Sequence, residues 1–248
     1  MKTAIIITGH MRTFERCLPT MHWHVFRHFP SADFFVSTIE DADAIKAGLL
    51  RVRYPQAHVE IETVKEQPDC VAELRGAGVT LPTEWQPGRS YMHEPFAITS
   101  HPQAVLRQLW QLRQGWELFC NTAALDDYSL IIRCRPDLWF HSFTQPLLGG
   151  FRSGDWCWSP WWGRFGGMND RFAVVEAGAA PAYFGTYSKI KEMMTEGCPL
   201  HPESLLANAL ARGNVVNQTL FAEFSTLRAN GQMRAPEISS IDLARLHA

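Results

Sequence analysis

The chain has 248 residues, of which 46% are hydrophobic and 19% charged, and its formal net charge is -2. This composition excludes a disordered protein and suffices for a substantial core, so we expect one compact domain spanning residues 1–248. The near-neutral charge provides no general attraction for a polyanion. It argues against nonspecific nucleic-acid binding and leaves room for a local basic cleft.

The six cysteines lie far apart and form no CxxC pair, which is typical of reduced thiols packed as small apolar side chains. The apolar run before Gly9 is too short for the core of a signal peptide. No run reaches the roughly 18 apolar residues that span a bilayer. We therefore expect a cytoplasmic protein without a transmembrane segment, whose contact with a membrane would be peripheral.

The first elements along the chain form a β-α-β unit. Residues 4–8 are a continuous apolar run that ends at Gly9, which is typical of an inner parallel strand. Helical spacing over residues 13–29 ends at Pro30, and residues 32–38 are again strand-like. A β-α-β unit within 40 residues predicts an α/β fold with a mostly parallel, doubly wound, Rossmann-like sheet.

The middle of the chain alternates regular and irregular stretches. We predict a helix over residues 41–50 and a half-exposed strand over residues 58–64. Residues 66–102 contain many prolines and glycines without a sustained period, which indicates a long loop or lid. A broad apolar face then predicts a helix over residues 104–124.

The second half of the chain supplies the remaining elements. Its predicted strands are residues 128–134, 155–162 and 171–175, its predicted helices are residues 181–195 and 202–211, and a final strand pair or hairpin falls within residues 215–224.

Residues that follow predicted strands are the first candidates for a site, because ligands of open α/β sheets bind outside the carboxyl ends of strands. After the first strand, Gly9 permits close approach to the backbone, His10 follows it, and Arg12 offers a forked cation to a phosphate. The alternative interpretation is a turn glycine followed by a surface arginine.

The strand at residues 128–134 leads into a more specific pattern. Arg133 and Arg135 occupy alternate strand positions and so face one side, while Pro136 fixes the turn that presents Asp137. Arginines beside a carboxylate suit a diphosphate and its divalent cation. The alternative is an ion pair that braces the strand end. Asp137 is the first candidate for a functional carboxylate.

Three further polar residues are candidates with equally open alternatives. Asn169 and Asp170 can hydrogen-bond sugar hydroxyls, or they form an ordinary turn before a strand. Glu203, near a helix N-terminus, can act as an acceptor-activating base or a ligand-binding residue, or it satisfies first-turn amides.

Other patterns are given less weight. A zinc site at His22, His24 and His28 lacks an HExxH pattern, and residues 163–167 lack the GxxxxGK[ST] of a phosphate-binding loop. Large aromatics are usually core, so we expect one of four clustered tryptophans at most to contact a ligand. These are Trp156, Trp158, Trp161 and Trp162.

Five segments taken in order resemble a group of bacterial and viral glycosyltransferase-like proteins with a GT-A-like, nucleotide-diphospho-sugar transferase fold. The segments are Gly9-His10-Met11-Arg12-Thr13-Phe14, residues 32–38, Arg133-Cys134-Arg135-Pro136-Asp137, Asn169-Asp170-Arg171-Phe172 and Pro202-Glu203. The resemblance spans residues 4–210. It implies a cytoplasmic hexosyl- or pentosyltransferase that moves a sugar from a nucleotide-diphosphate sugar to a hydroxyl acceptor, a carbohydrate of a surface polysaccharide.

The resemblance also assigns roles. Residues from Thr8 to Arg12 would contact the nucleotide, Asn169 and Asp170 would line the sugar or acceptor side, and Asp170 or Glu203 would remove the acceptor proton. The DxD position, which holds a divalent cation in GT-A enzymes, retains Asp137 as its one carboxylate. Either Asp137 binds Mn²⁺ or Mg²⁺ with other ligands, or the arginines neutralise the diphosphate directly.

Two alternative functions stay open. The missing second acid of DxD is compatible with a noncatalytic nucleotide- or glycan-binding protein of the same fold. A phage-type DNA glycosyltransferase would use a local basic patch made of Arg89, Arg107, Arg113, Arg152 and Arg164. The overall charge argues against that second alternative.

Overall fold

The computed structural model describes residues 2–63, 68–81, 91–93, 96–98, 101–145 and 155–236. The strands are Lys2–Thr8 (β1), Asp33–Ile39 (β2), His58–Glu62 (β3), Tyr91–His93 (β4), Phe96–Ile98 (β5), Tyr128–Cys134 (β6), Leu138–Phe143 (β7), Trp156–Pro160 (β8), Phe172–Glu176 (β9), Val216–Leu220 (β10), Ala222–Leu227 (β11) and Met233–Arg234 (β12). The α-helices are Phe14–His24 (α1), Leu49–Arg53 (α2), Cys70–Gly76 (α3), Pro102–Thr122 (α4), Ala180–Phe184 (α5), Thr186–Thr195 (α6) and Pro202–Arg212 (α7).

Seven strands form the main sheet in the order β10-β8-β9-β6-β1-β2-β3. β1 is an inner strand and runs parallel to both of its neighbours, β2 and β6. β3 continues the parallel arrangement beside β2, and β10 runs parallel to β8. β9 alone runs antiparallel to its neighbours within this sheet. The predicted α/β fold with a mostly parallel, doubly wound sheet is therefore confirmed.

Side chains of β1 alternate between two hydrophobic clusters, one on each face of the sheet. Ile5 and Ile7 belong to the cluster that includes α1, β7 and β11. Ala4 and Ile6 belong to the cluster that includes α4, α5, α6 and α7. All four side chains are fully buried, which explains why the strand reads as a continuous apolar run.

Helix α4 packs directly on β1, and a glycine makes this close contact possible. A Cβ atom built on Gly115 would lie 2.4 Å from Cγ2 of Thr8 and 2.8 Å from Cγ2 of Ile6. The helix begins after His101, whose side chain accepts a hydrogen bond from the Gln103 amide. Pro102 occupies the first helical turn, where its missing N–H is not needed. The N-terminal half of α4 thus lies at the carboxyl ends of the central strands.

A second, antiparallel sheet has the order β12-β11-β7. Two strands do occupy the region where we predict a final strand pair or hairpin, but the hairpin alternative is wrong, because β10 joins β8 in the main sheet while β11 joins β7. A hairpin needs at least two turn residues, and Phe221 alone separates the two strands. Leu220, Ala222 and Phe224 are all buried at a spacing of two, so the chain continues in an extended course from one sheet to the other.

The structure differs in detail from two other predictions. The helix predicted over residues 41–50 is a 3₁₀ turn at Ala44–Gly48 followed by α2. Of the predicted lid at residues 66–102, the structure describes α3 and the antiparallel pair β4 and β5. Residues 64–67, 82–90, 94–95 and 99–100 lie outside the described residues, and so does that part of the prediction. In the part of the chain that is described, no helix has the length and apolar character needed to cross a bilayer.

Candidate functional site

A cavity of about 560 Å³ opens at the carboxyl ends of β1, β2 and β6. Its wall is completed by the N-terminal half of α4 and by the chain that follows β11. All seven residues predicted at the two strand ends line it, namely Thr8, Gly9, His10, Arg12, Arg133, Arg135 and Asp137. They meet because β1 and β6 are adjacent and parallel, with Ile7 paired to Cys134 near both ends.

The turn after β1 requires glycine. Gly9 has φ +132°, and an added Cβ would lie 3.1 Å from Cδ of Pro136. The hydroxyl of Thr38 donates to the Gly9 carbonyl at 2.9 Å, which ties this turn to the end of β2. Gly9 therefore sets the distance between the two strand-end segments that bound the cavity.

His10 is held in place by a carboxylate. Its Nδ1 lies 2.8 Å from Oδ2 of Asp41. Partial burial would raise the pKa of Asp41, but the hydrogen bonds with His10 and the Asp43 amide, together with the nearby charge of Arg12, hold that pKa below its ordinary range. The ionised Asp41 thereby fixes the orientation of the imidazole ring at the cavity edge.

Arg135 and Asp137 form a forked ion pair. Nε of Arg135 donates to Oδ1 of Asp137 at 2.9 Å, and Nη2 donates to Oδ2 at 2.6 Å. Burial would raise the pKa of Asp137, but the Arg135 guanidinium outweighs it and holds that pKa below its usual range. Both carboxylate oxygens are thus engaged by one arginine. This matches the bracing ion pair that the sequence left open as an alternative.

The cavity floor carries two buried polar atoms without partners among the described residues. Arg133 is 1% exposed, and its Nη1 lies 3.5 Å from the Thr8 carbonyl, while its Nε has no hydrogen-bond partner. Oγ1 of Thr8, which is equally buried, also has none. Leaving such a group unsatisfied costs about 1–3 kcal/mol, so both atoms are available to bind a ligand that enters the cavity.

Two further arginines line the cavity. Arg107 comes from α4, where the sequence placed it in a nucleic-acid patch, and Arg228 follows β11, where no local pattern singled it out. Burial lowers the pKa of Arg228, and the nearby charges of Arg234 and Arg135 lower it further. Positive charge is therefore crowded at this end of the cavity.

The arginine cluster of the cavity consists of Arg12, Arg107, Arg133, Arg135 and Arg228. Asp137 is the one carboxylate in the described lining, and it pairs with Arg135. No described carboxylate forms an ion pair with Arg12, Arg107 or Arg228. The cavity consequently has a strong excess of positive charge.

Asn169 and Asp170 lie behind the cavity wall rather than in it. Asn169 is fully buried, its Nδ2 donates to the Trp162 carbonyl, and its Oδ1 accepts from the Arg171 amide. Oδ2 of Asp170 accepts from Nε2 of Gln108, a residue that does line the cavity. Oδ1 of Asp170 has no hydrogen bond among the described residues. Asn169 therefore stabilises its own turn, and Asp170 holds the amide of Gln108, which lines the cavity.

Glu203 is also buried, in the first turn of α7. Its Oε2 lies 3.0 Å from Nε2 of His201. Burial lowers the pKa of His201 to about 4, against the opposing field of Asp170. A neutral ring satisfies both of its contacts, because Nε2–H donates to Glu203 and Nδ1 accepts from the Ser204 hydroxyl. Gly167 packs so tightly on this turn that an added Cβ would lie 2.1 Å from the Glu203 carbonyl oxygen.

The described residues do not fit the divalent cation that the DxD position implies. Asp137 has both oxygens engaged by Arg135, and the described lining has no second carboxylate. No group of three or more His, Cys, Asp or Glu side chains suited to a metal occurs in the described ranges. Of the three histidines considered for zinc, His22 and His24 lie on α1 and His28 lies in the 3₁₀ turn after it, and His22 contacts the Tyr54 hydroxyl at 2.7 Å.

The arginines considered for a DNA-binding patch have separate contacts where the structure describes them. Arg113 pairs with Glu117 along α4, and Arg164 donates to the carbonyls of Ser159 and Pro160. Arg89 and Arg152 lie outside the described residues. Of the tryptophans, Trp110 lines the cavity, whereas the four clustered ones are absent from its described lining. Trp162 instead donates to the Ala222 carbonyl in the core.

Comparison with known proteins gave structural likenesses. No protein-family model matches the chain, and a search of curated proteins found no match. Among solved structures, the galactosyltransferase LgtC in complex with donor and acceptor sugar analogues is 14% identical, with a TM-score of 0.48 over 88% of this chain and 73% of that one. An active-site mutant of LgtC is 15% identical, with a TM-score of 0.46 over 88% and 72% of the two chains. Mouse xyloside xylosyltransferase 1 in its apo form is 10% identical, with a TM-score of 0.42 over 88% and 84%.

Proposed function

We propose that this protein is a glycosyltransferase that binds a nucleotide-diphosphate sugar in the arginine-lined cavity and transfers the sugar to a hydroxyl acceptor. The observation that carries the proposal is the arginine cluster, which stands at the carboxyl ends of β1 and β6 with Asp137 as the one carboxylate in the described lining. The motif resemblance supports sugar transfer and a surface-polysaccharide acceptor.

The cavity has the size and charge that such a donor requires. Its volume of about 560 Å³ lies within the range of small-molecule sites. Arginine donates through a planar fork that matches phosphate oxygens, and it keeps its charge at any physiological pH. The first turn of α4 also reaches the cavity at Gln103 and Ala104, so the positive end of the helix dipole favours an anion there.

The same charges provide a mechanism for the transfer step. When the bond from the sugar to the diphosphate breaks, negative charge develops on the departing nucleoside diphosphate. Fixed cations around the cavity stabilise that charge without having to reorganise. In this proposal Thr8 and Gly9 lie beside the nucleotide. Arg12, which follows β1, and Arg228, which follows β11, bind the diphosphate.

Asp170 and Glu203 take different roles from the proton removal that the resemblance assigned. Both are buried and absent from the described cavity lining, which supports roles other than direct contact with a ligand. We assign Asp170 to orienting the Gln108 amide and Glu203 to anchoring the start of α7. In this proposal Asn169 stabilises the turn before β9 and does not contact the donor or the acceptor.

Thermal-shift screening against UDP-, GDP- and dTDP-sugars tests the proposal, because a ligand that binds only the folded state raises its melting temperature. We expect a shift with at least one donor, followed by release of the nucleoside diphosphate when an acceptor is added. Arg228→Gln should reduce the shift, whereas Arg53→Gln, an exposed arginine outside the cavity lining, should not. Absence of a shift with every donor would refute the proposal.

A noncatalytic binding protein of the same fold is the second candidate. It is favoured by one observation, namely that no carboxylate in the described lining is free to accept a proton from an acceptor hydroxyl. Donor binding without hydrolysis or transfer, measured with a panel of sugar acceptors, would favour this candidate. Turnover with any acceptor would exclude it.

A further inference from the structure

We propose that this cavity binds the diphosphate of its ligand without a divalent cation, using the arginine cluster in the place of the metal. The inference rests on the proposed function, since it concerns how the same site holds a nucleoside diphosphate. It assigns Asp137 to positioning Arg135 rather than to ligating a metal.

Both oxygens of the carboxylate at the DxD position already accept hydrogen bonds from one arginine. Mg²⁺ and Mn²⁺ are bound through oxygen ligands that must have lone pairs directed at the ion. The two oxygens of Asp137 accept from Nε and Nη2 of Arg135 at 2.9 and 2.6 Å. Turning either oxygen away from Arg135 toward a metal would cost the partly buried guanidinium that bond. A metal at Asp137 would therefore have to share the carboxylate with Arg135.

No other described residue offers a replacement ligand set. The described lining contains no second Asp or Glu, and the described residues hold no group of three His, Cys, Asp or Glu side chains suited to a metal; each of the two lining histidines uses Nδ1 in a hydrogen bond. Nδ1 of His10 contacts Asp41, and Nδ1 of His101 accepts from the Gln103 amide. A dication in this cavity would also be repelled by the arginine cluster around it.

Positive charge reaches the cavity from separate segments of the chain. Arg12 follows β1, Arg107 lies on α4 and Arg228 follows β11, and none of the three pairs with a described carboxylate. Nε of Arg133 on the floor is buried without a hydrogen-bond partner. A diphosphate carries several acceptor oxygens and a matching negative charge, so it satisfies these donors from several directions.

This arrangement predicts the sign of a metal effect. In solution, Mg²⁺ and Mn²⁺ bind the diphosphate oxygens that the arginines need. If the arginines replace the metal, adding either cation should leave the affinity for UDP or GDP unchanged or weaken it. If a metal bridges protein and diphosphate, removing it should weaken the affinity about tenfold or more.

Isothermal titration of UDP, GDP, CDP and dTDP into the protein, in EDTA and then in MnCl₂ or MgCl₂, tests the inference. We expect at least one nucleotide to bind in EDTA at least as tightly as with metal. Arg12→Gln and Arg228→Gln should each weaken that binding by about 10- to 100-fold, the equivalent of one charged hydrogen bond. The control Arg53→Gln should bind as the wild type does.

The possible outcomes separate the two proposals. Binding that appears with MnCl₂ or MgCl₂ and vanishes in EDTA would overturn the metal-free site and leave the proposed function standing. No binding of any nucleotide in either condition would overturn both. Metal-free binding that Arg12→Gln and Arg228→Gln leave unchanged would also overturn the inference, because the diphosphate would then be held elsewhere.

Discussion

Replacing Asp137 with asparagine removes the negative charge of the forked ion pair with Arg135 and retains one acceptor oxygen. The side chains of Arg135 and Asp137 are 21% and 17% exposed, so the pair lies between the surface and buried limits. Breaking a buried pair costs 3–5 kcal/mol, and an exposed pair contributes at most about 1 kcal/mol. We expect Asp137→Asn to lower the free energy of unfolding by about 2 kcal/mol, which lowers the melting temperature by roughly 4–8 °C in a chain of this size.

The same variant has a defined pH dependence. The pKa of Asp137 is lower in the folded protein than in the unfolded chain, because Arg135 outweighs the effect of burial. The stabilisation is therefore fully present above the unfolded pKa, and it is lost as the pH falls through the folded pKa. The stability difference between wild type and Asp137→Asn should be constant from about pH 8 to pH 5 and should shrink below about pH 4.

Urea unfolding at a series of pH values measures this difference, with the exposed Asp126→Asn as the matched control. The control should change the unfolding free energy by less than about 0.5 kcal/mol at every pH. If Asp137→Asn proved as stable as the control at pH 7, the ion pair would not brace the strand end and our account of Asp137 would be wrong.

Three other substitutions test the packing around the site. Gly115→Ala places a methyl group 2.4 Å from Cγ2 of Thr8, so the free energy of unfolding should fall by about 1–3 kcal/mol even though alanine favours helices. The melting temperature should fall with it, and an unchanged melting temperature would contradict the close contact of α4 with β1. Gly167→Ala collides with a backbone oxygen at 2.1 Å and should cost at least about 2 kcal/mol in urea unfolding, whereas Gly76→Ala, which meets no neighbouring atom, should not destabilise. Gln108→Glu puts a second carboxylate beside buried Asp170 and should destabilise more than Gln108→Leu at pH 7 in parallel urea titrations; the reverse order would show that Gln108 does not contact Asp170.

Local sequence patterns were sufficient to predict the inner strands of the main sheet and the part of the cavity lining that follows β1 and β6. The apolar runs of β1, β2 and β6 identify buried strands, since only strands covered on both faces are apolar at every position. Once these strands are known to be parallel neighbours, the rule for open α/β sheets brings the residues after β1 and β6 together. Every residue predicted at those two strand ends does line the cavity.

Other features depend on contacts between distant segments, which a local pattern does not encode. Gln108 meets Asp170 across 62 residues, and Thr13 bonds the Leu227 carbonyl across 214, which brings the adjacent Arg228 to the cavity. Asn169 and Glu203 are likewise buried and absent from the described cavity lining, although both side chains are as polar as those of binding residues. The sequence by itself determined the buried strands β1, β2 and β6 and the charged residues that follow β1 and β6. Tertiary packing alone decided which charges are paired, because pairing depends on side chains that the chain brings together only when it folds.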